Sequence, residues 1–240
     1  MTDLPRRLLA EFVGTAALVT VVVGSGIAAA QLTGDAALRL LANSTATVLG
    51  LGVLILVFGP VSGAHFNPVV SVADWLAGRR AGTGPTARDT LAYAVAQTAG
   101  AVAGAVTANV MFDLDPVQVS GHDRVGAGHL VGEVVATAGL IVVVFALARS
   151  GRAALSASAV AAYIGAAYWF TSSTSFANPA VTVGRVFSDT FAGIAPASVP
   201  GFVAAQIAGA AAGLALVTFL YPRVGARAAA DAVVPHAETR

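Results

Sequence analysis

The chain has 240 residues, 57% of them apolar and only 10% charged, with a mean hydropathy of +0.80. A water-soluble domain of this size carries about a quarter charged residues, so the composition is that of a membrane protein. Its 13 basic residues, all arginine, face 12 acidic ones, and no basic block is long enough to hold nucleic acid. With no cysteine there is no disulfide, thiolate metal site or thiol nucleophile, and the few titratable groups argue against a soluble hydrolase or transferase.

One charged side chain at the bilayer centre costs roughly 2.5 to 3.5 kcal/mol on insertion scales, so windows free of charge mark spans. In chain order they are Phe12 to Gly34 (23 residues), Leu40 to Ala73 (34), Thr90 to Phe112 (23), Val125 to Ala148 broken only by Glu133, Ala153 to Gly184 (32) and Thr190 to Pro222 (33). About 20 helical residues cross a bilayer, so the longest windows hold more than one span. A secretory signal over Met1 to Ala30 is a rival for the first window, opposed by Glu11 early in the apolar stretch.

Inside the second window the run Gly59-Pro60-Val61-Ser62-Gly63-Ala64-His65-Phe66-Asn67-Pro68 predicts that a span ends near Phe58. Pro68 then suits a first helical position, but the apolar stretch Val69 to Ala77 is only half long enough to cross. The fifth window repeats this grammar: a span to about Phe170, the polar run Thr171 to Ser175, then Asn178-Pro179-Ala180 and a short helix. Each is a full span followed by a half-span beginning inside the membrane.

The chain is a duplication. Ala96 to Gly104 reappears as Ala205 to Gly213 with seven of nine positions identical, the Asn-Pro boxes recur 111 residues apart, and Glu11 with Thr15 is matched by Glu133 with Thr137. Repeat A covers about residues 8–112 and repeat B about 127–222, in one domain of 1–222, and 223–240 reads as a disordered cytoplasmic tail. Three spans per half invert the second half, so the two boxes enter from opposite faces and meet near the midplane. Alternate loops carry ten arginines against three (Arg39, Arg124 and Arg185), which predicts that both termini are cytoplasmic.

Non-helical backbone at membrane depth lines water or is buried in protein, and two such places predict a pore. Two half-helix N-termini focus positive potential there, and Asn67 and Asn178 cap the half-helices with amide donors aimed at the lumen. A water whose oxygen accepts from both amides cannot also accept from its neighbour, so the proton wire breaks there.

The residues Ser62 to Val69 and Asn178-Pro179-Ala180, with the duplicated Glu and Gln helices, resemble the aquaporin (major intrinsic protein) family over about Leu8 to Tyr221. The resemblance implies an all-α membrane protein with an inverted repeat, six transmembrane helices and two re-entrant half-helices. It also implies a homotetramer in the cell membrane with one pore per subunit, passing water and small uncharged solutes without cofactor, bound metal or enzymatic activity. Its pore boxes are Asn67, Pro68, Val69, Asn178, Pro179 and Ala180. The chain departs from the family where most members follow the second box with arginine: here stands Val181. The other constriction positions, carried over by spacing, are Thr47, Ala166 and Ser175, and this wide, weakly polar set favours glycerol-like polyols or metalloid hydroxides such as arsenous acid. A strictly water-selective pore is the alternative. Arg185, four residues beyond Val181, either reaches the outer vestibule or pairs with Asp189.

Glu11 and Glu133 are intramembrane carboxylates, by default a proton relay or ion site, but the resemblance implies that they support the half-helix loops; a proton-coupled transporter would instead use one as its carrier, and a non-conducting scaffold is a third possibility. His65 precedes the first box, and the resemblance implies that it lines the cytoplasmic half of the pore. Asp113, Asp115, His122 and Asp123 follow no metal-ligand spacing and read as solvated loop. Asn43-Ser44-Thr45 matches a glycosylation acceptor but sits at the start of a span.

Overall fold

A computed structural model of the chain describes residues 3–79 and 83–222. The predicted tail at 223–240 and Arg80, counted in the charge asymmetry, lie outside the described residues. Among those residues the structure is helical with no strand: α1 (Leu4–Leu32), α2 (Ala36–Ser62), α3 (Pro68–Gly78), α4 (Ala87–Met111), α5 (Ala127–Arg149), α6 (Ser156–Phe170), α7 (Pro179–Gly184) and α8 (Val199–Leu220). Six are long and apolar enough to cross a membrane, α6 and α8 each being preceded by a short 3-10 turn. The protein is therefore a multi-pass membrane protein, and α3 and α7 are the two half-spans.

The caps explain the boundaries. Asp35 accepts the Leu38 N–H at 2.9 Å and Thr86 accepts the Asp89 N–H at 3.1 Å, each supplying one of the acceptors a helix start lacks. Asn67 and Asn178 cap α3 and α7 in the same way, with Pro68 and Pro179 directly after them.

One boundary differs from expectation. α2 does not stop near Phe58 but continues through Gly59-Pro60 to Ser62, ending on Gly63 in the left-handed conformation (φ 91°). Proline removes only its own N–H and crowds one carbonyl a turn earlier, a local loss that leaves the rest of the helix ladder in place. The break falls three residues later, where glycine adopts the positive φ that ends a helix without steric cost.

The bundle is two interlocked halves. α1 packs along α4 and α5 along α8 through the duplicated small residues. A Cβ on Gly100 or Gly104 would collide with the carbonyl oxygens of Phe12 and Ala16, and one on Gly209 or Gly213 with those of Val134 and Ala138. Only glycine permits backbones this close, so these strips set the helix spacing. α1, weighed above as a signal, is a packed member of the bundle with Glu11, Thr15, Val19 and Val23 wholly enclosed. The glycosylation-like Asn43 is also interior: its Nδ2 donates to the Val22 carbonyl at 2.8 Å and to Ser25 Oγ at 2.9 Å.

Candidate functional site

The two loops that lead into α3 and α7 meet head to head. Asn67 Nδ2 donates to the Ala177 carbonyl at 2.8 Å, and Asn178 Nδ2 donates to the Phe66 carbonyl at 2.7 Å, so each cap is tied to the other loop. Their Oδ1 atoms stay at home: Asn67 accepts from the Val69 N–H, Asn178 from those of Ala180 and Val181. An amide NH2 carries two donors, and the crossed bonds use one on each asparagine.

To bring the carbonyls into register the backbone adopts conformations that non-glycine residues avoid. Ala64 and Phe66 have φ of 48° and 49°, and at the same places in the second loop Ser175 and Ala177 have 52° and 47°. Each such residue costs on the order of 1 to 3 kcal/mol and persists only where its surroundings over-determine it. The surroundings here are carboxylates. Glu11 accepts from Ser62 Oγ at 2.6 Å, the N–H groups of His65 and Phe66 at 3.0 and 2.7 Å, and Gln97 Nε2 at 2.7 Å. Glu133 accepts from the N–H groups of Phe176 and Ala177, both at 2.9 Å, and from Gln206 Nε2 at 2.6 Å. Both carboxylates are completely enclosed, so every donor in reach counts.

A cavity of about 750 Å³ runs past this junction. At one end it touches Gly59, Pro60 and Ala154, in the middle both asparagines, and at the other end Val181 and Arg185. Its walls are chiefly apolar, with a few polar groups placed at intervals, as in a solute site rather than an ion site. His65 lines it on the α3 side, with Nδ1 2.9 Å from Ser71 Oγ and Nε2 3.6 Å from the Asp74 carboxylate.

Of the constriction residues carried over by spacing, Thr47, Ser175 and Val181 line this cavity. Ala166 does not: it is exposed on the far side of α6. A helix turns about 100° per residue, so the stripe of α6 facing the cavity is Ala157, Val160, Ile164 and Tyr168, and a residue two places away from the last two points outward. Tyr168 lines the cavity from α6 instead, its hydroxyl 3.2 Å from Thr47 Oγ1.

Arg185 lines the same cavity and makes no ion pair with Asp189, whose carboxylate accepts the Gly121 N–H at 2.9 Å. In the loop between the halves, Asp123 accepts from the Val125 N–H and from Ser198 Oγ, so it fastens the loop to the start of α8.

The family model described as major intrinsic protein matches residues 1–175. The chain is 50% identical over 218 residues to aquaglyceroporin AqpS of Rhizobium meliloti (strain 1021), covering 91% of each chain. It is 33% identical over 149 residues to aquaporin-2 of Rattus norvegicus, covering 59% of this chain and 51% of that one. Among solved structures, the aquaglyceroporin from Plasmodium falciparum matches with a TM-score of 0.66 at 20% identity, over 90% of this chain and 95% of that chain.

Proposed function

The chain belongs to the major intrinsic protein family, a family of non-enzymatic channels, and on that premise we propose that it is a passive pore for water and small uncharged solutes that turns back protons and ions. The observation that carries this reading is the junction of the two caps beside a cavity that both asparagines line, with Asn67 and Asn178 each keeping one amide donor beyond the crossed bond. A water accepting from these amides is oriented with its oxygen toward them and cannot relay a proton through that point. The α3 dipole adds positive potential; α7, with six residues, adds less and relies on its asparagine.

The permeants are proposed to be glycerol-like polyols or metalloid hydroxides such as arsenous acid, with water. Supporting this, the lining combines the hydroxyl-bearing residues Thr47, Tyr168 and Ser175 with the apolar Val181, which suits a solute with a carbon edge and several oxygens. The carboxylates support a channel over a proton-coupled carrier, because Glu11 and Glu133 are filled by donors that hold the loops. The arginine distribution supports cytoplasmic termini in the cell membrane, and membership of the family supports a homotetramer with one pore per subunit.

Stopped-flow permeability of proteoliposomes to water, urea, glycerol and arsenous acid tests the proposal. Flux with low activation energy and no response to a proton gradient is expected; saturable, gradient-driven uptake overturns it.

A further inference from the structure

Arg185 is 3% exposed and lines the cavity one turn beyond Val181. Its guanidinium carbon sits 3.5 Å from the ring centroid of Phe176, and its Nε donates to the Ala192 carbonyl. Phe176 is itself held edge-on by Phe202, with ring centroids 5.2 Å apart. Arg124 stacks on the same Phe176 ring at 5.3 Å but spends its donors on the protein: Nε goes to the Gly193 carbonyl at 2.7 Å and Nη2 to that of Phe191 at 3.1 Å.

Arg185 differs. Among the described residues no carboxylate pairs with it and no acceptor takes its two Nη groups, which carry four N–H donors. A guanidinium only 3% exposed with no carboxylate within pairing distance is costly, so water or solute oxygens must supply its acceptors. A second polar group of this passage also lacks a partner: Ser175 is among the lining residues, and its hydroxyl is buried with no partner among the described residues.

We infer that Arg185 is the permeant-contacting cation of this mouth, its Nη donors holding the oxygens of a small neutral polyhydroxy solute while Val181 faces the solute's carbon edge and the fixed charge repels cations. The inference rests on the channel reading above and adds the residue that sets specificity. It separates two functions by level: the apolar wall lies at position 181 and the hydrogen-bonding charge lies at 185, on a rigid aromatic shelf.

The test uses the full-length chain in proteoliposomes, with water and glycerol gradients and a potassium leak assay, for the unaltered protein, Arg185→Met and Arg185→Lys. Methionine keeps an apolar stem over Phe176 and removes the donors. Glycerol permeability is expected to fall about tenfold, or ~1.4 kcal/mol, with water changed less than twofold and potassium leak increased. Lysine keeps the charge without the planar fork, so potassium stays excluded while the glycerol-to-water ratio falls about threefold. Should the methionine variant fail to insert, the lysine ratio alone decides. Unchanged glycerol-to-water ratios, or parallel loss of both fluxes, overturn the assignment. An unaltered protein that passes no solute overturns the channel reading itself, whichever way the variants behave.

Discussion

The loops leading into α3 and α7 are two solutions of one problem, and their differences lie where they face the passage. Away from it they correspond group for group at an offset of 111 residues. Ser62 and Ser173 accept the N–H groups of Ala64 and Ser175; Ser71 and Thr182 donate to the carbonyls of their asparagine caps and accept from Gln97 and Gln206. At the same offset, however, His65 is replaced by Phe176 and Asp74 by Arg185. One mouth carries an imidazole near a carboxylate, the other a guanidinium on a phenyl ring. Support of the backbone tolerates little change because a stranded buried N–H is costly, whereas the groups nearer the passage are free to diverge.

The largest effect that would break this correspondence is loss of a supporting carboxylate. Glu11→Ala and Glu133→Ala each strand two backbone N–H groups inside the protein, at roughly 1 to 3 kcal/mol apiece, and are expected to abolish recovery of folded protein from detergent extracts. The milder Glu11→Gln is expected to lower the melting temperature more than Glu133→Gln, because Glu11 also accepts the Ser62 hydroxyl. An equal loss would mean that the Ser62 bond adds nothing.

A smaller effect is expected at the constriction. Val181→Arg places a second guanidinium one turn inside Arg185, and glycerol and arsenous acid fluxes are expected to drop about tenfold or more with water flux largely retained, in the same proteoliposome assay. Unchanged solute flux would put the narrow point elsewhere. The smallest effect sharpens the placement on α6: Ala166→Leu adds bulk to the outer face and is expected to leave water and glycerol permeability within experimental scatter, whereas Tyr168→Ala, which removes the partner of Thr47 Oγ1, is expected to raise the larger solute's share.

Amino-acid order alone determined the architecture. Charge-free windows located the six spans because ionised groups are excluded from hydrocarbon, and the duplicated Glu, Asn-Pro and Gln positions revealed two half-spans because their spacing recurs. It also pointed to Thr47, Ser175 and Val181, two of them close enough to a box that no error of register accumulates. Three matters were left to the tertiary structure. The rotation of α6 exchanges Ala166 for Tyr168, because a two-residue slip along a helix reverses the face presented. The direction of Arg185 is decided by the Phe176 ring and the Ala192 carbonyl, groups on other segments that no local spacing encodes. The crossed bonds between Asn67 and Asn178 exist only once both halves are folded, since each cap finds its acceptor on the other repeat.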